Sequence, residues 1–121
     1  MNPKKIIFTV AFILFSWSIC KAQVCDKLSV PFGDYESAVS LIQKSSFEVS
    51  DTCDTSKSSW IVAAEYNSCD GIKGFFIVST RRNKYIHQNI PIVVWKGFKK
   101  ANSFGRYYNV NIKGRYPLKL K

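Results

Sequence analysis

The stretch PIVVWKGFKKANSFGRYYNVNIKGRY, Pro91 to Tyr116, decides how the rest of this chain is read. Within it, Pro91, Val94, Trp95, Phe98 and Ala101 recur at the three-and-four spacing of one helical face. Lys96, Lys99 and Lys100 fall mostly on the opposite side. The spacing predicts a helix that buries an aromatic stripe and shows ammonium groups to water. Pro91 suits the first helical position, because its ring presets φ and the N–H it lacks has no partner there. Ser103 is an expected N-cap, after which Phe104, Tyr108 and Ile112 align at four-residue intervals. Gly114 closes this second, short helix.

Upstream the periodicity changes. Tyr85 to Ile90 reads as a strand, preceded by the turn Arg81-Arg82-Asn83-Lys84, in which Asn83 is able to take a positive φ. Phe75 to Thr80 is a second strand. Asn67 to Gly71 is a turn by composition, its Asp-Gly pair being a strong hairpin signal. Trp60 to Tyr66 alternates Trp60, Val62, Ala64 and Tyr66 on one face of a further strand. Serines and threonines thicken from Ser50 to Ser59, which predicts a connecting loop. Before it, Asp34 caps a helix running to about Ser46, with Tyr35, Ala38, Leu41, Ile42 and Phe47 on its apolar face. The expected fold is therefore α+β: an N-terminal helix laid on a three-stranded antiparallel meander, then one helix and a short C-terminal helix.

Residues 1–22 have the form of a secretory signal. Lys4 and Lys5 supply the charged start, Ile6 to Ile19 the apolar run, and Cys20-Lys21-Ala22 a small-residue cleavage site. The apolar run is shorter than the roughly 20 residues of a membrane span. The expectation is an exported bacterial protein, periplasmic or secreted, with no transmembrane span after cleavage. Cleavage leaves 99 of the 121 residues, enough for one domain. They divide into an N-terminal helical extension, 23–57, and a domain over 58–118.

Charge divides the same residues sharply. From Gln23 to Asp70 there are eight acids against three lysines, a net −5. From Gly71 onward there are twelve cations and no acid, a net +12. Such asymmetry points to an anionic partner. The plainer alternative is a solvated surface, partly neutralised by the acidic half folding against it.

Export also means an oxidising compartment. Among the cysteines left after cleavage, a Cys53–Cys69 bridge is expected, since the two flank one segment, with Cys25 left over. A zinc site from Cys53, Cys69 and His87 lacks the close ligand pairs of structural zinc motifs, so no metal and no cofactor is expected.

From Ser58 on, the chain resembles the KTSC domain, a module of some lysyl-tRNA synthetase C-termini and of free-standing bacterial proteins. The matching residues are Ser58-Ser59, Tyr66-Asn67, Phe76-Ile77-Val78, Ile90-Pro91, Trp95 and Phe98. The most specific part is the run through Ala101, Ser103, Gly105, Tyr108-Asn109 and Ile112-Lys113. The family's central Tyr-x-Tyr stands here as Tyr85-Ile86-His87, so the second aromatic is titratable. The resemblance implies RNA binding as the suggested role, without an established activity.

Two surfaces follow as candidates. Tyr85 and His87, with Tyr107, would form an aromatic platform, ringed by Arg81, Arg82 and Lys84 as in single-strand binders. The alternative is that Tyr85 and His87 face the core, hydroxyl and imidazole hydrogen-bonded at its edge. Lys99, Lys100, Arg106, Lys113 and Arg115 complete the candidate anion-binding set, and the start of the helix after Ser103 presents backbone N–H groups to an anion. No nucleophile elbow, phosphate-cradling glycine loop or ordered triad is present, so no catalytic residue is named; hydrolytic chemistry around His87 is the weakest reading. The expected function is a small basic binding module. Its partner is an anionic polymer or surface (RNA, DNA, acidic envelope glycan or lipid) or, in the alternative, an acidic protein.

Overall fold

The computed structural model describes residues 23, 24, 28 and 31–120. The signal-like segment and Cys25 lie outside them. The elements run β1 (Gln23–Val24), α1 (Tyr35–Lys44), β2 (Ser45–Ser46), β3 (Val49–Cys53), β4 (Ala63–Ser68), β5 (Lys73–Ser79), β6 (Lys84–Pro91), α2 (Ile92–Lys100) and α3 (Phe104–Asn111). The α+β class and the three helices are as expected. The sheet is not a three-stranded meander: it has four antiparallel strands in the order β3-β4-β5-β6, and a separate two-stranded parallel sheet joins β1 to β2.

The additional strand comes from the polar stretch expected to be a loop. Val49–Cys53 pairs residue for residue with β4, from Val49 opposite Ser68 to Cys53 opposite Ala64. β4 itself begins later than the alternation suggested. Trp60 and Val62 stay exposed, and only Ala64 and Tyr66 of the expected face are buried.

Each face of the sheet has its own core. On one, Ala64, Tyr66, Phe76, Val78 and Ile90 meet Trp95 and Phe98 of α2 and Phe104 and Tyr108 of α3, with Ile112 beyond. The stripe read from the sequence is the one buried, and the Trp95 ring stacks with those of Tyr66 and Phe98. On the other face, Ile77 and Ile86 meet Phe32, Ala38, Ile42 and Leu118. This explains the unbroken apolar run of β5: successive side chains point to opposite faces, and both faces are covered.

Caps behave largely as the sequence indicated. The Asp34 carboxylate accepts the Ser37 N–H at 2.7 Å, and Ser103 Oγ accepts that of Arg106 at 3.2 Å. Pro91 is the N-cap of α2 rather than its first residue. Gly114, at φ 79°, lies in the turn that follows α3. In the β5–β6 turn the Thr80 hydroxyl does the closing, accepting the Asn83 N–H at 3.1 Å. Asn83 therefore needs no positive φ. Asn89 takes one instead, at 60°, in the stretch of β6 where pairing with β5 slips between Gly74 and Phe76.

The expected disulfide is not formed. Cys53 carries a free thiol, and Cys69 is engaged in an interaction of its own. The β3–β4 register is the reason: Cys53 lies opposite Ala64, whereas Cys69 follows Ser68, which lies opposite Val49 at the other end of the strand pair.

Candidate functional site: a tyrosine cleft beside the hairpin

The cleft of interest is formed where α1 passes the β5–β6 turn, and it has a volume of about 730 Å³. One wall is the solvent side of α1: Tyr35, Glu36, Val39, Ser40 and Gln43. The other is the hairpin, from Arg82 to Tyr85. Each wall contributes an exposed tyrosine, Tyr35 at 48% and Tyr85 at 42%. Tyr35 is exposed because it is the first residue of α1, where the helix begins at the edge of the core that Ala38 and Ile42 enter. The Asn83 side-chain amide donates to the Tyr85 hydroxyl at 3.3 Å. Gln43 donates its amide to Glu65 at 2.8 Å, which leaves its side-chain oxygen available.

On the sheet face covered by α3, His87 and Tyr108 form a buried polar pair. His87 Nδ1 is 3.3 Å from the Tyr116 carbonyl, and Nε2 is 2.8 Å from the Tyr108 hydroxyl. A carbonyl only accepts, so Nδ1 carries the proton and Nε2 accepts from Tyr108. Burial lowers the pKa of His87, against a smaller raising effect of the Tyr116 hydrogen bond. Burial pushes the Tyr108 phenol up to about 12, and the phenols of Tyr85 and Tyr35 add to the rise.

The residues expected to form one platform are divided among three environments. His87 is buried, so the core-edge alternative holds for it. Tyr107 belongs to the junction of α2 and α3: its hydroxyl donates to the Val94 carbonyl at 3.0 Å, in space left by the missing Cβ of Gly97. Tyr85 alone of the three is exposed, and its companion is Tyr35, which the sequence reading assigned to the apolar face of the first helix. The signal for it was positional. A tyrosine directly after an N-cap has no preceding helical turn to pack against.

The cations are likewise separated. Arg81, Arg82 and Lys84 belong to the hairpin, Lys99 and Lys100 to the last turn of α2, Arg106 to α3, and Lys113 and Arg115 to the chain that follows it. All eight are exposed. Arg115 Nε donates to the Val110 carbonyl at 3.1 Å, and Lys99 pairs with Asp51 at 2.6 Å. Among the described residues no other cation lies within 4.0 Å of a carboxylate. Of these eight, only Arg82 and Lys84 line a cleft with exposed tyrosines. Among the same residues, no three His, Cys, Asp or Glu side chains gather as metal ligands.

With this geometry in view, comparison with protein families gives a match of the KTSC domain to residues 57–116. Residues 57–116 are a KTSC domain. Comparison with curated proteins and with solved structures gives no match. The KTSC run from Ala101 to Lys113 is explained by packing: Ala101 ends α2, Ser103 caps α3, and Ile112 is fully buried. Gly105 leaves room for the Trp60 indole, which would collide with any Cβ there. Lys57, the first residue of the match, donates to the Ala101 carbonyl at 3.0 Å and lies over the Phe104 ring. These residues thus build the α2–α3 junction, and Tyr85, also within the match, lines the cleft.

Proposed function

We propose that this chain is a small exported binding module that holds an anionic polymer at the cleft between α1 and the β5–β6 turn. One observation carries the reading: Arg82 and Lys84, neither paired with a carboxylate among the described residues, flank a cleft with an exposed tyrosine on each wall. Aromatic rings beside cations suit ligands that combine planar or ring-shaped units with regularly spaced negative charge. The acid-free composition from Gly71 onward adds a favourable long-range field, and the signal-like segment supports an extracytoplasmic ligand. In this reading the chain is a binder and not an enzyme.

The test is retention on immobilised anionic polymers, both nucleic acid and acidic glycan, over a salt series. Retention is expected to fall along a log–log slope as counterions return to the polymer. Arg82→Glu with Lys84→Glu is expected to abolish it, and Lys96→Glu on the far helix to leave most of it. Absence of salt-sensitive retention on every polymer removes the proposal.

A second reading, a protein interaction module with an acidic partner, is favoured by β3. It is the outer strand of its sheet, and strand addition to such an edge is a common mode of protein docking. Repeated capture of one acidic protein, lost on substitution in Val49–Cys53, would decide for it.

A further inference from the structure

The two walls of the cleft differ in chemistry. The hairpin wall is cationic, with Arg82 and Lys84 and the Asn83 amide between them. The α1 wall has no cation: Lys44, the helix's one basic residue, is in its last turn, outside the cleft. That wall offers hydrogen-bond acceptors instead, namely the Glu36 carboxylate, the Ser40 hydroxyl and the free side-chain oxygen of Gln43.

We propose that the cleft takes an acidic oligosaccharide, a run of pyranose rings bearing uronate-type carboxylates. This rests on the anionic-polymer reading and narrows it. A uronate ring has its carboxylate on one edge and hydroxyls on the opposite edge, matching a cationic wall and an accepting wall. Its C–H faces pack on tyrosine rings, and tyrosine is available from both sides. Carboxylates accept from Arg82 and Lys84, while ring hydroxyls donate to Glu36 and Gln43. The volume of about 730 Å³ suits a short run of rings, within the usual size of a ligand site.

A single-stranded nucleic acid fits less well. Its affinity comes from many phosphate contacts made together. Here two cations share the cleft with a carboxylate, and the remaining cations stand on α2, α3 and the chain beyond, outside this cleft.

Calorimetry on the purified protein tests this with three probes: a short oligogalacturonate, the same oligosaccharide with its carboxylates reduced to alcohols, and an oligouridylate of equal charge. The oligogalacturonate is expected to bind at least about tenfold more tightly than either of the others. Tyr35→Ala and Tyr85→Ala are each expected to weaken it by about tenfold without lowering the melting temperature, both side chains being exposed. Glu36→Gln discriminates further. Removing a negative charge tightens any purely electrostatic complex, whereas loss of an acceptor for ring hydroxyls weakens this one. Equal or tighter binding of oligouridylate, or tightening by Glu36→Gln, overturns the proposal and leaves the anionic-polymer reading standing. Failure of every anionic probe removes both.

Discussion

His87 is the one histidine of the chain, and it is held neutral by its surroundings. The Tyr116 carbonyl requires a proton on Nδ1, the Tyr108 hydroxyl donates to Nε2, and burial disfavours a charged ring. Since the folded pKa is lower than the ordinary value of 6.5, the unfolded chain binds the proton more readily. The stability this contributes is whole above 6.5 and declines as pH falls through that value toward the folded pKa. Melting temperature is therefore expected to drop between about pH 8 and pH 5. His87→Gln, whose amide also donates and accepts, is expected to remove the drop in that window. The shifted carboxylates, Asp34, Asp51, Asp54 and Asp70, all lie below their usual range and titrate at lower pH. Equal pH slopes in the two proteins would assign the dependence elsewhere. That Tyr85 and His87 share a strand face was legible from their spacing. Which of them is covered was not, because α3 reaches His87 through Tyr108 and leaves Tyr85 exposed.

At the scale of elements, β3 shows why a polar strand escapes sequence reading. Ser50, Asp51 and Thr52 have neither the β-branched nor the apolar alternation that marks a buried strand. The segment is a strand because β4 offers unpaired backbone groups and because Asp51 meets α2. Its carboxylate accepts the Trp95 indole N–H at 2.9 Å and pairs with Lys99. These contacts hold the carboxyl below its usual range, the Lys99 hydrogen bond most and the Trp95 bond next. Both side chains of the ion pair are over a third exposed, so the pair itself is worth little, about 0–1 kcal/mol. The indole bond reaches into the core and is worth more. Asp51→Ala is expected to lower stability by about 1–3 kcal/mol in urea unfolding. Asp51→Asn, which keeps an acceptor for the indole, is expected to cost under about 1 kcal/mol. Equal losses would transfer the credit to the charge pair.

For the whole molecule, the KTSC match covers residues 57–116, yet the described fold depends on chain outside it. Residues 31–56 supply β3 to the sheet edge, and Phe32, Ala38 and Ile42 cover Ile77 and Ile86. Leu118, beyond the match, is buried in the same cluster. The chain around it runs beside β6, where Lys119 donates its N–H to Gln88 at 3.1 Å. A fragment of residues 57–121 is expected to lose cooperative melting and to bind a dye for exposed apolar surface, because it leaves one face of β5 uncovered. A sharp transition near that of the full chain would show that α1 is dispensable. The sequence by itself determined the α+β class, the aromatic stripe of α2, the caps at Asp34 and Ser103, and the separation of charge along the chain. These depend on spacing and on groups adjacent in the chain. Tertiary structure alone decided the fourth strand, the free thiol of Cys53, the burial of His87 and the partnership of Tyr35 with Tyr85. Each of those depends on what a distant segment covers or leaves open, and burial of that kind is a property of packing between residues that no local pattern relates.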